Sequence, residues 1–148
     1  MVRAGTRPAP TVEIDPGVRR AIIAHATRER PLECCGLLIG RRGRVTGALP
    51  ARNLARSAVR YELDPRVHID ARRVLREVMP PIAILGVYHS HPRGRAYPSA
   101  SDIAEAQYPN WIHIIVGLAG ARARVAGFRI RGERVLPVTI VAPVESAR

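Results

Sequence analysis

The sequence predicts a single domain of mixed α/β (α+β) class, a central mixed β-sheet flanked by helices, on three observations. The first is length: 148 residues make one ordinary domain and can bury a core without disulfide staples. The second is composition, since 47% apolar residues beside 24% charged ones is too apolar for a disordered chain. The third is spacing, because apolar residues alternate along the chain between a helical period and short continuous or β-branched runs.

Residues 1–11 read as a tail rich in proline and arginine, and a short strand follows at Val12-Glu13-Ile14. Asp15 is an N-cap residue and Pro16 suits a first helical turn. Val18, Ala21, Ile22 and His25 or Ala26 then recur at helical spacing until Pro31 closes the segment. Cys35 to Gly40 is an apolar run too short for a helix, and Arg41-Arg42-Gly43 turns it back into a second strand at Val45. Tyr61-Glu62-Leu63 predicts another short strand. Asp64-Pro65 repeats the cap-and-proline signal and opens a helix over residues 65–78, ended by Pro80-Pro81. Ile82 to His89 is apolar and β-branched, a buried strand that stops at Pro92. After a loop containing glycine and proline, Ser99-Ala100-Ser101-Asp102 starts a short helix reaching Gln107. Ile112 to Val116, Arg124 to Ile130 and Val135 to Val141 predict three more strands, joined at Gly117-Leu118-Ala119-Gly120 and Gly132 as a meander. The domain thus runs over residues 12–141, with residues 142–148 as a second tail.

The net charge of +12 raises nucleic acid as a partner, because clustered cations displace counterions from phosphates. All 24 basic residues are arginine, however, and they are scattered from Arg3 to Arg148 in a chain with only 4% aromatics. A binding footprint concentrates charge and adds stacking residues, so no specific nucleic-acid partner is expected. The first sixteen residues lack the apolar core of a secretory signal, and no apolar run approaches the ~18 residues of a membrane span. A soluble cytoplasmic protein is the expectation. The adjacent Cys34 and Cys35 are not a secreted disulfide framework and read as reduced thiols.

The chemistry is concentrated in His89-Ser90-His91-Pro92 and Ser99-Ala100-Ser101-Asp102. On an extended strand, residues i and i+2 share a face, so both imidazoles converge at the strand's open end while Ser90 turns away into a structural role. The loop after His91 brings Ser99 and Asp102 back towards the same point from the first turn of a helix. Two nitrogens and a carboxylate leave a fourth tetrahedral position for water, the arrangement of a catalytic zinc site. Read alone, His-x-His is a weak signal, and Ser99 to Asp102 is an ordinary capping pattern. Four ligand-type residues within fourteen positions, behind a strand that ought to be buried, are poorly explained by capping. His25, His68 and His113 fall inside helix and strand patterns and read as surface or satisfied core residues. Cys35 reads as small core packing and Cys34 stays open, while Glu105 is a second candidate for the place of Asp102.

These residues resemble the motif of the JAMM metallopeptidases, also called the MPN-plus or JAB domain. That motif is an upstream glutamate, then His-Ser/Thr-His-Pro and, after a fixed gap, Ser-x-x-Asp. His89 to Pro92, Ser99 and Asp102 match it without insertion, and Pro31-Leu32-Glu33-Cys34-Cys35-Gly36-Leu37-Leu38-Ile39-Gly40 resembles the segment carrying the glutamate, over a likeness spanning residues 12–140. The resemblance implies an MPN/JAB-like (cytidine-deaminase-like) fold. It implies one zinc (Zn2+) per chain on His89, His91 and Asp102, with Glu33 as general base and Ser99 as oxyanion donor. A compact chain is similar to the prokaryotic members, which implies hydrolysis at the Gly-Gly-type tail of a ubiquitin-like or sulfur-carrier protein, releasing cysteine or another amino acid. Two alternatives remain: a non-catalytic MPN scaffold, which typically loses the motif residues kept here, and a peptidase acting on cell-wall or other peptides. Oligomeric state is left open.

Overall fold

The computed structural model describes residues 9–144; the remainder of the two expected tails, residues 1–8 and 145–148, lies outside the described residues. Strand β1 (Thr11–Ile14) leads at once into helix α1 (Pro16–Glu29). Pro16 is tolerated because the first-turn N–H has no helical acceptor to lose. Asp15 does not cap this helix through its side chain. Its carboxylate instead accepts a bond from Arg44 Nε at 2.9 Å, which ties the start of α1 to β3.

Strands β2 (Cys35–Arg41) and β3 (Arg44–Ala51) form the expected hairpin. Its two-residue turn has positive φ at both Arg42 (50°) and Gly43 (74°), the primed geometry whose twist suits flanking antiparallel strands. Helix α2 (Pro65–Leu75) is capped by Asp64, whose side chain accepts from Arg66 N, and it stops three residues short of the expected end. Strand β4 (Ala83–His91) carries both histidines, helix α3 (Ala100–Glu105) ends two residues before the expected Gln107, and β5 (Ile112–Gly117), β6 (Arg124–Arg131) and β7 (Arg134–Val141) follow as the meander. The expected strand at Tyr61 to Leu63 does not form. Leu63 makes a single antiparallel bridge to Asn53, with Leu54 N donating to Glu62 O and Asp64 N to Arg52 O, and the pairing goes no further, since the Asn53 side chain takes Glu62 N on its Oδ1 and donates to Arg60 O.

Sequence patterning did not foresee how the sheet ends. It closes on itself in the order β1-β3-β2-β4-β5-β6-β7, with β1 lying parallel to both β7 and β3. The core lies on one face, where Val18, Ile22 and Ala26 of α1 meet Leu38, Val45, Tyr88, Ile114 and Val116. Alternation along β4 therefore puts Tyr88 and Ser90 under α1 and turns Val87, His89 and His91 to the opposite face. Tyr88 packs across Gly36, where an added Cβ would stand 2.3 Å from the ring. None of the described helices is long and apolar enough to cross a membrane.

Candidate active site

The site lies at the C-terminal end of β4, where the strand gives out and α3 begins. His89 sits between Cys35 of β2 and Ile115 of β5, and His91 between the strand end and Gly117. The His89 and His91 Nε2 atoms are 3.1 Å apart, and Asp102 Oδ2 stands 3.1 Å from the first and 3.0 Å from the second. Ligand bonds of about 2.0 Å to one tetrahedral ion require donor separations of about 3.3 Å. The triad needs to open by only a few tenths of an ångström to hold one. The donor set of two imidazoles and one carboxylate fits zinc chemically.

Local folding explains each placement. Ser99 is the N-cap of α3 in a reciprocal capping box: its Oγ accepts from Asp102 N at 3.1 Å, and Asp102 Oδ2 accepts from Ser99 N at 2.8 Å. Capping and ligand geometry are thus the same arrangement, since the cap bond fixes the rotamer that aims Asp102 at the histidines. Arg95 O accepts from His91 Nδ1 at 2.8 Å, which leaves Nε2 as the nitrogen free for a metal. Gly117 lets the loop through: a Cβ there would stand 2.4 Å from Ala96 N. Ser90, on the other face, accepts from Cys34 N at 2.8 Å, a structural tie.

Glu33 approaches from the junction of α1 and β2. One of its carboxylate oxygens joins His89 and His91 in a group whose ligand atoms all lie within 4.8 Å. Glu33 is 3% exposed and its Oε1 has no hydrogen-bond partner. Burial, with smaller opposing effects of His91 and Asp102, pushes the Glu33 carboxyl up to about 8. Burial also acts on Asp102, but the hydrogen bonds from His89 and His91 overcome it and hold that carboxyl well below the usual carboxylate range. The two carboxyls are therefore driven apart, one ionised and one basic near neutrality, as acid–base pairs in active sites require. His89 is pushed down by complete burial, against the pull of Asp102.

Other candidates resolve simply. His25 is buried and its Nδ1 lies 2.8 Å from Tyr88 Oη, so it is a satisfied core histidine. His68 lies among Tyr108 and Trp111, outside the triad. Burial pushes the Cys34 and Cys35 thiols up to about 11 and about 12, which argues against a thiolate nucleophile. Glu105 pairs with Arg60 at 3.6 Å rather than with a histidine. Two residues carry more than sequence reasoning gave them. Tyr61 stacks on His89 with ring centroids 4.4 Å apart, and Asn53 bonds the backbone of Glu33. Neither has a local pattern of its own, since both act through contacts distant in sequence.

A family model described as prokaryotic homologs of the JAB domain matches residues 15–130. A curated relative, the CysO-cysteine peptidase of Mycobacterium tuberculosis, is 35% identical over 99 residues, covering 65% of this chain and 66% of that one. The probable TtuB-protein conjugate cleaving protease of Thermus thermophilus is 39% identical over 101 residues, covering 68% and 66%. The chain thus spans just under two thirds of the length of these relatives. The solution structure of a protein from Desulfitobacterium hafniense superposes with a TM-score of 0.78 at 29% identity, over 91% of this chain and 96% of that one.

Proposed function

This chain belongs to the family of prokaryotic homologs of the JAB domain, and from that premise we propose that it is a zinc-dependent metallopeptidase. Its substrate is an amide bond at the C-terminal tail of a ubiquitin-like or sulfur-carrier protein. The observation that carries the proposal is the convergence of two imidazole nitrogens and the Asp102 carboxylate beside a buried Glu33 whose carboxylate lacks a partner.

In this reading His89, His91 and Asp102 hold one zinc. When bound, zinc supplies Lewis acidity and lowers the pKa of a water to about 7. Glu33, buried against His89 and His91 with no hydrogen-bond partner on its Oε1, takes the proton of the attacking water and delivers it to the leaving nitrogen. Ser99 Oγ accepts the cap bond from Asp102 N and lies 3.0 Å from Ser101 Oγ; turned from Ser101 to the substrate, its Oγ–H steadies the oxyanion that develops on the carbonyl. Tyr61 covers one face of His89 and excludes water from it. A cavity of about 470 Å³ lined by Tyr61, Tyr108, Trp111 and His113 reaches the site only through Tyr61, whose ring stacks on His89, and in this reading it receives the acyl side of the substrate. The names of the curated relatives support a carrier or conjugate substrate. The same proposal places the enzyme in the cytoplasm, where two buried free thiols stay reduced.

The test is elemental mass spectrometry of the purified protein beside its His91→Ala variant, with hydrolysis of a Gly-Gly-tailed carrier measured on both and on Glu33→Gln. Near one zinc per chain, lost in His91→Ala, together with a fall in kcat of roughly 10²–10⁴-fold in a zinc-replete Glu33→Gln, is the expected result. A wild-type protein that takes up no zinc after loading, or a Glu33→Gln variant of full activity, overturns the proposal.

A further inference from the structure

We propose that Asn53 is a positioning residue for the hydrolysis, a clamp whose one side-chain amide holds the Glu33 carboxylate and the His89 imidazole at a set separation. This rests on the peptidase reading above and goes beyond it by assigning a residue that touches neither substrate nor metal.

Glu33 needs such a clamp because its side chain is not anchored at its far end. Its Oε1 is buried without a hydrogen-bond partner, so the direction of the carboxylate is decided by the backbone that carries it. The next residue is tied to β4, since Cys34 N donates to Ser90 Oγ and Ser90 N to Cys34 O. Both backbone groups of Glu33 go instead to the loop between β3 and α2. Glu33 N donates to Ser57 O at 2.8 Å, and Glu33 O accepts from Asn53 Nδ2 at 3.0 Å.

The other three bonds of the Asn53 amide show what Glu33 is clamped to. Nδ2 also donates to Arg60 O at 3.1 Å, while Oδ1 accepts from Ala55 N at 3.0 Å and from Glu62 N at 2.9 Å. Arg60 and Glu62 are the two neighbours of Tyr61, whose ring stacks on His89 with centroids 4.4 Å apart. The contacts thus close a circuit: Glu33 to Asn53, Asn53 to both sides of Tyr61, Tyr61 to His89, and His89 back to Glu33 within the 4.8 Å group. A primary amide offers two donors and two acceptor positions, and all four are used here. Turned over, it would set its oxygen against two carbonyls, so the network fixes one orientation. Aspartate in its place would keep both acceptor bonds and lose both donations.

The course of the loop does not depend on this amide. Leu54 N donates to Glu62 O, Asp64 N to Arg52 O and Arg56 N to Asn53 O, all through backbone. Truncation at Asn53 therefore leaves the turn standing and frees the base to drift, and a misplacement of about 1 Å costs a positioned reaction up to about 10²-fold.

The experiment is a double-mutant cycle on the zinc-loaded protein, with Asn53→Ala, Glu33→Gln and the two combined, cutting a ubiquitin-like carrier extended by one alanine after its Gly-Gly tail. The expected result is a fall in kcat of about 10–10²-fold for Asn53→Ala, with KM and zinc content nearly unchanged. Added to Glu33→Gln, where no base remains to be placed, the same substitution is expected to lower kcat by no more than about threefold. An equal fall in both backgrounds marks a merely structural role and overturns the proposal, as does full activity of Asn53→Ala. A second readout needs no turnover. In the metal-free protein the Tyr61 ring current displaces the His89 ring-proton resonances, and Tyr61→Leu gives their positions without it. Asn53→Ala is expected to move them most of the way to that reference, and wild-type positions overturn the clamp. If the wild type cuts no carrier, the peptidase reading fails and the resonances alone decide whether Asn53 holds the Tyr61 and His89 pair. If Asn53→Ala does not fold, Asn53→Asp takes its place in both measurements, and loss of fold in both variants overturns the proposal in favour of a stability role.

Discussion

Asp102 answers two structural demands with one carboxylate oxygen, accepting from Ser99 N while facing both histidines. Asp102→Asn keeps the cap acceptor but loses the charge, so it is expected to fold and to bind zinc at least tenfold more weakly, read by competition with a chelator. Ser99→Ala separates the two roles of the serine. Loss of the cap lowers stability by about 1 kcal/mol in a denaturant titration, while loss of the oxyanion donor lowers kcat by about 10²–10³-fold. Glu33 makes a pH prediction for the metal-free protein. Its folded pKa of about 8 lies above its ordinary value of 4.5, so the folded state binds the proton more tightly. The stability this contributes is full below pH 4.5 and is lost as pH rises to about 8. The difference in denaturation midpoint between Glu33→Gln and wild type is therefore expected to grow in favour of the variant across that window. A constant difference would refute the assignment. At this scale the convergence of His89, His91 and Asp102 was legible in the sequence, because they lie on one strand and the next helix turn. Glu33 became visible only through its resemblance to a known segment, since 56 residues separate it from His89 and no spacing rule spans that gap.

The loop between β4 and α3 holds His91 through the Arg95 carbonyl, and it is itself held by the close approach of Gly117. Gly117→Ala places a methyl group 2.4 Å from Ala96 N and 2.7 Å from the Arg95 carbonyl carbon, contacts only movement of the backbone relieves. The expected result is a loss of zinc affinity that exceeds the loss of stability, because β5 keeps its ladder while the loop shifts. Glycine at the end of an apolar strand read as an ordinary turn signal; what it actually permits is passage of another segment, and that segment cannot be found from the strand. The missing strand at Tyr61 to Leu63 has a similar cause. The β-type residues are present, but backbone pairing stops at one bridge, the Asn53 side chain takes up Glu62 N, and Tyr61 spends its ring on His89. Capping signals fared unevenly for a physical reason as well: Asp64 has a helix N–H to accept, whereas Asp15 meets the guanidinium of Arg44 first.

For the whole molecule, barrel closure and the proposed zinc each make a stability prediction. Ile14 is 3% exposed on the short closing strand β1, and Ile14→Ala is expected to cost about 2–5 kcal/mol, measured by denaturant titration. Zinc at a hundred times its dissociation constant is expected to add about 2.7 kcal/mol to the folded state, and the increment should vanish in His91→Ala. Mixed class and element order were legible because they depend on local periodicity. Closure was not, since the pairing of Thr11 to Glu13 with Thr139 to Val141 is set by the twist accumulated over the intervening strands.

That closure imposes an order in time. Every proposed metal ligand and catalytic group lies between positions 33 and 102, yet β1 cannot meet β7 until Val141 has been synthesised. On a ribosome adding about 5–20 residues each second, β1 waits several seconds with only Glu13 and Ile14 resting on β3. During that interval the nascent domain has an open seam flanked by β1 and the last strand made. The half of the molecule that carries the proposed site is thus translated early and sealed last, and nascent chains arrested before residue 134 should remain sensitive to proteases along β1 long after the hairpin of β2 and β3 has become resistant.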